Sequence, residues 1–177
     1  PVLIDNRGGQ GGVLGTDALA KSAPDGYTIA ISSAGALAIS PSMEKVAYDT
    51  LNDLAPVTLV ATVPEMLVGA TNVPAKTRAE VIALAKSQPG KLNFASSSSG
   101  SSSQLAGEQF KLFAEVEMQH IPYKGSTPAL TDVIGGQVQM MFHSTPSAMP
   151  FRQRGKPRAA PPPPAPPPPA APAPPPP

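Results

Sequence analysis

The chain has 177 residues, a formal net charge of +1 and no cysteine. That excludes a disulfide framework, a thiolate metal site and a cysteine nucleophile, and no run reaches the roughly 18 apolar residues of a membrane-spanning helix. Residues 1–150 carry nine Lys/Arg against twelve Asp/Glu, whereas 151–177 carry four basic residues and no acidic one. Four charges without interleaved aromatics make no nucleic-acid footprint, so no nucleic acid is expected as a partner.

The chain opens on Pro1-Val2-Leu3-Ile4-Asp5, which reads as a strand in need of a neighbour, with no Met, basic n-region or apolar h-region before it. A fragment is therefore expected. Glycines follow at positions 8, 9, 11 and 12, but a dinucleotide fingerprint needs glycine or alanine where Leu14 stands, and there is no Walker A. Val13 to Ala23 is predicted as a helix, stopped by Pro24-Asp25-Gly26. Tyr27 to Ser32 is the next predicted strand, and Ser33 and Gly35 open the loop at its end, where parallel α/β sheets hold ligands. Val57 to Thr62 and Met66 to Ala70 read as further buried strands.

At Val73 the pattern changes, which divides the chain into an incomplete first lobe (1–72), a second lobe (73–150) and a basic, then Pro/Ala-rich, disordered tail (151–177). Lys76 to Gln88 is predicted as a helix with a capping box at Thr77 and Glu80. Asn93 to Ala95 is a short apolar strand, Ser96 to Ser103 a serine-rich turn containing Gly100, and Gln104 to Ala114 a helix with apolar residues on one face. Ser101 and Gln104 fit a second capping box, and the unpaired first amides of that helix suit a carboxylate or phosphate without any lysine or arginine. A solvated Ser/Gly linker is the other reading of the same serines. A strand from Met118 to Tyr123, a helix from Thr127 and a strand from Val138 to Phe142 complete repeated strand–helix units, which predict an α/β fold with a mainly parallel sheet. His143 falls at the ligand-holding edge or serves as a surface cap, and His120 reads as a packing residue within its strand.

Catalytic chemistry is sparse. Ser42-Met43-Glu44-Lys45 matches S-x-x-K without its partner motifs, and there is no G-x-S-x-G, no H-E-x-x-H and no cluster at metal-ligand spacing. The serines lack a base, so binding is favoured over catalysis, with no catalytic residue, metal or cofactor expected. A serine hydrolase and an interaction protein acting through its proline-rich tail are the rival readings.

Several pieces in order carry a resemblance: Asn6-Arg7 and the following glycines, Ala23-Pro24-Asp25-Gly26-Tyr27-Thr28, Leu54 to Val60, Pro89 to Ser96, Leu105-Ala106-Gly107-Glu108, Ile121 to Gly125, and Gly135-Gly136-Gln137-Val138. From Val2 to about Pro150 the chain resembles the Bug-type substrate-binding proteins of tripartite tricarboxylate transporters. The resemblance implies a two-lobed clamshell of the type II periplasmic-binding-protein kind, here partial, with a small carboxylate (a di- or tricarboxylate, amino acid or aromatic acid) held between lobes. It implies a periplasmic monomer delivering its ligand to the membrane components of such a transporter. The resemblance places the carboxylate loop on Ser96 to Ser103, and with the residues expected at the ends of the strands the candidate site comprises Ser33, Gly35, Ser97, Gly100, Ser101, Ser102, Ser103, Thr127 and His143. The family commonly has Gly-Asn at Ser98-Ser99, histidine at Gln104 and aspartate at His143, and it continues where this chain turns to proline. A frameshifted copy truncated at both ends is therefore expected.

Overall fold

Apolar runs separated by helix signals between residues 64 and 144 assemble into one mixed sheet. The structure is a computed structural model and describes residues 1–153 and 158–159. Its strands are β1 (Glu65–Gly69), β2 (Asn93–Ser96), β3 (Gln119–Pro122), β4 (Met140–Ser144) and β5 (Arg158–Ala159), in the order β3-β2-β4-β1-β5. β2 runs parallel to both β3 and β4, as predicted. β1 instead pairs antiparallel with β4, Glu65 opposite Ser144, and with β5. Alternation of strand and helix signals does not encode the direction in which the first strand enters, because direction follows from the neighbour it pairs with. Through β1, residues of the 1–72 segment join the same sheet as those of 73–150.

The helices are α1 (Val13–Ala20), α2 (Ser40–Met43), α3 (Arg78–Ser87), α4 (Ser102–Ala114), α5 (Ser126–Ile134) and α6 (Thr145–Gln153); a π-helical turn over Gly35–Ile39 leads into α2. Both predicted capping boxes form. Thr77 Oγ1 accepts from Glu80 N and Glu80 Oε2 accepts from Lys76 N, while Ser101 Oγ accepts from Gln104 N and Gln104 Oε1 accepts from Gly100 N. In each box the returning side chain reaches one residue before the N-cap.

The main core lies between the sheet and its helices, with Phe94, Met140, Met141, Val68 and Val133 fully buried. Each such side chain contributes about 1.5–3 kcal/mol by leaving water. Strand alternation puts Phe94, His120 and Phe142 on the α4 face, where Phe94 stacks on His120 at 5.0 Å and Phe142 meets Phe110 at 5.7 Å. Gly107 lets α4 lie directly on the Phe94 ring: a Cβ there would stand 2.1 Å from Phe94 Cε2.

The first half is built differently. Its core is a small cluster of Val13, Ala36 and Tyr48, with the Tyr48 hydroxyl donating to the Ala36 carbonyl. The predicted strands at 2–4, 27–32 and 57–62 form no ladder among the described residues. Val2, Leu3, Ile29 and Ile31 are more than four-fifths exposed. An apolar extended run becomes a strand only when a neighbour accepts its hydrogen bonds, and none of the described segments does so. Of the tail expected over 151–177, only residues 151–153, at the end of α6, and β5 fall among the described residues.

Gly107→Ala is expected to destabilise the chain by about 1–3 kcal/mol, because the added methyl must displace the Phe94 ring. Gly8→Ala, with no atom within 4 Å, is expected to change stability by less than about 0.5 kcal/mol. Urea denaturation of both variants checks this, and equal midpoints would show that the α4–β2 approach is not a constraint.

Candidate functional site

Parallel pairing sends β2, β3 and β4 to the same sheet edge, and each is followed there by the start of a helix. After β2 comes the serine turn and α4, after β3 the Tyr123–Gly125 loop and α5, and after β4 the start of α6. Antiparallel β1 brings its first residue, Glu65, to the same edge. The two central loops are tied together by Tyr123 N donating to Ser96 O at 3.0 Å and Gly125 N donating to Ser97 O at 2.8 Å. The amides that begin α4 and α5 have no acceptor within their helices and carry the positive ends of the two dipoles.

A cleft of about 510 Å³ opens over this edge. Of the residues expected from the sequence, Ser97, Ser102, Ser103, Thr127 and His143 line it together. Ser103 Oγ accepts from Ser97 N at 3.0 Å and lies 2.9 Å from Ser101 Oγ, so the turn is held by its own hydroxyls. Ser101 itself is buried: its hydroxyl donates to Ser98 O and accepts from Gln104 N, which makes it the α4 cap and leaves it outside the cleft lining.

Ser33, Gly35 and Gly100 also lie outside that lining. Ser33 is exposed and its carbonyl accepts from Leu37 N at the start of the π-helical turn. Gly35 and Gly100 lie where the first half of the chain touches the serine turn. A Cβ on Gly35 would sit 3.3 Å from Gly100 O, and one on Gly100, whose φ is +70°, would sit 2.3 Å from Ser40 Oγ. The missing side chains therefore allow the two halves to meet backbone against backbone.

Seven lining residues were not among the expected site residues: Glu65, Ser126, Leu130, Thr131, Ile134, Ser144 and Ser147. Ser126 and Ser147 had a legible signal, since each lies in the first turn of a helix that carries a proline there, Pro128 two residues after Ser126 and Pro146 just before Ser147. Glu65 had none. It follows Pro64 at the head of an apolar run, and only the pairing with β4 carries it to the edge.

Among the described residues, Glu65 is the sole charged side chain lining the cleft. Its Oε1 accepts from Ser102 Oγ at 2.8 Å, while Oε2 is buried without a hydrogen-bond partner. Burial pushes its carboxyl above the ordinary range, and the Ser102 hydrogen bond opposes this only in part. Burial also lowers the His143 pKa, so at neutral pH its imidazole is uncharged and offers one donor and one acceptor.

One serine does stand beside a base: Ser96 Oγ is 2.6 Å from His120 Nε2. Ser96 is completely buried, and its hydroxyl donates to Ser98 O at 2.9 Å. Having given its proton to a carbonyl, the hydroxyl accepts from Nε2–H. This arrangement fastens β2 to β3 and offers a substrate no access to the oxygen.

The model of the tripartite tricarboxylate transporter family receptor matches residues 1–161. Protein BugT of Bordetella pertussis is 42% identical over 161 residues, covering 90% of this chain and 49% of that protein. Two solved structures share the fold. Rpa4515 of R. palustris with adipate has a TM-score of 0.83 at 33% identity over 89% of this chain and 53% of its own. MatC from Rhodopseudomonas palustris with bound malate has a TM-score of 0.80 at 30% identity over 90% of this chain and 54% of its own. The chain thus spans about half the length of these relatives.

Burial of Glu65 has a measurable consequence. Because the folded-state pKa is raised, the folded chain holds this proton more tightly than the unfolded one, so stability falls as pH rises from the ordinary value of 4.5 through the folded value. His143 contributes with the opposite sign, stability falling as pH drops below about 6.5, and the comparison of wild type with Glu65→Gln cancels it. Glu65→Gln is expected to melt a few degrees higher than wild type at pH 7, and the difference is expected to shrink toward pH 4. Thermal melts across that range check this; a difference independent of pH would show that the carboxyl carries no burial penalty.

Proposed function

This chain belongs to the tripartite tricarboxylate transporter receptor family, whose members are solute-binding receptors, and from that premise we propose that its cleft captures a small carboxylate. The observation that carries the reading is the convergence of the α4 and α5 starts, with their serine and threonine hydroxyls, on one cleft that no Lys or Arg lines among the described residues. Such a site binds a carboxylate through fixed amide donors and hydroxyls that need little reorganisation. Neutral His143 adds a donor at the floor without adding charge.

The ligands of the related structures, adipate and malate, are of the same chemical class. In this reading the intact protein works in the periplasm as a monomer and hands its ligand to the membrane components of a tripartite tricarboxylate transporter. Ligand is enclosed by approach of the first half of the chain along the Gly35–Gly100 contact. Ser33, Gly35, Gly100 and Ser101 then serve the site by shaping that contact and the turn, while Ser97, Ser102, Ser103, Thr127 and His143 face the ligand. The buried Ser96–His120 pair supports binding over hydrolysis.

Titration calorimetry of the 177-residue chain against di- and tricarboxylates, acidic amino acids and aromatic acids is expected to give saturable binding to at least one class. Ser102→Pro keeps a residue suited to the first helical position but removes an amide and a hydroxyl donor. It is expected to weaken that binding about tenfold or more. No heat across the whole panel, or full affinity in Ser102→Pro, overturns the assignment.

A further inference from the structure

A carboxylate-binding cleft whose only charge among the described residues is itself a carboxylate poses a conflict. The donors of the α4 and α5 starts favour an anion, yet Glu65 stands at the same sheet edge, joined to α4 through Ser102 Oγ. One Glu65 oxygen is served by that hydroxyl, and the other has no donor anywhere among the described residues. Among the described residues no Lys or Arg lines the cleft to neutralise it. A ligand carrying only carboxylates brings like charge toward Glu65 in a partly dehydrated site, where charge pairs are screened less than in water.

We propose that Glu65 is the specificity-determining residue of the cleft, selecting carboxylates that also bear an ammonium group: α-amino acids in preference to plain mono- or di-acids of the same skeleton. The proposal rests on the carboxylate reading of the same cleft. The ligand's carboxylate takes the amides and hydroxyls at the α4 and α5 starts, and its ammonium faces Glu65. The ammonium supplies the counter-charge that no described side chain lining the cleft provides. Ser102 links the two halves of the arrangement, since its amide begins α4 while its hydroxyl orients the Glu65 carboxylate. Position 65 thus distinguishes ligands that the serine turn alone treats alike.

The test compares matched pairs differing only in the α-amino group, L-aspartate with succinate and L-glutamate with glutarate. Calorimetry at pH 7.5 uses the full chain and its Glu65→Gln and Glu65→Asp variants, with circular dichroism confirming that each is folded. Wild type is expected to bind the amino member of at least one pair about tenfold more tightly. Glu65→Gln is expected to bring the ratio close to one, mainly by weakening the amino acid, and Glu65→Asp to keep the preference. A wild-type ratio near one or in favour of the plain acid overturns the proposal while leaving the carboxylate reading in place. A preference that survives Glu65→Gln places the selectivity elsewhere and overturns it as well. Failure of every acid in both series to bind removes the carboxylate reading, and this proposal with it.

Discussion

Parallel pairing of β2 with β3 on one side and β4 on the other is the constraint on which the rest depends. Parallel strands end at the same edge, so whatever follows each of them is delivered to one place. Here three helix starts follow, and two backbone hydrogen bonds, Tyr123 N to Ser96 O and Gly125 N to Ser97 O, hold the first two loops side by side. The close seating of Gly107 on Phe94 fixes α4 against the sheet, so the amides at its N-terminus have a defined position. Packing in the core and donor geometry at the edge are consequences of one arrangement.

Charge at that edge is unusual for a site built from neutral donors. Seryl hydroxyls, threonine and an uncharged His143 surround a single carboxylate whose burial already favours its protonated form. A serine–histidine meeting, Ser96 with His120, lies just inside the edge but is sealed in the core. The two histidines share a cause for their lowered pKa, loss of water. Their surroundings differ: one fastens two strands, and the other borders an open cleft. Residue type alone does not separate a structural from a ligand-facing histidine.

The halves of the chain differ in how far local pattern is converted into structure. Between β1 and α6, each apolar run finds a partner and a buried core results. In the first sixty residues the apolar runs are as strand-like in composition, yet Val2 to Ile4, Tyr27 to Ile31 and Val57 to Val60 stay extended and exposed. Helix α1 and the π-helical turn form there because their hydrogen bonds are local. A strand's ladder is never local, and that difference explains which predicted elements appeared.

The sequence by itself determined the features that depend on neighbours along the chain. Thr77–Glu80 and Ser101–Gln104 specified where α3 and α4 begin, Ser96 to Ser103 marked a donor-rich turn, and Asn93 to Ala95 marked a strand before it. These were legible because capping and turn chemistry act over three or four residues. Only the tertiary structure decided that β1 runs antiparallel, that Glu65 reaches the cleft, and that Ser101 is buried as a cap while Ser102 and Ser103 line the cleft. Each of these follows from a pairing between residues far apart in the chain. Glu65 meets Ser102 across thirty-seven positions, a separation over which no periodicity in the sequence carries information.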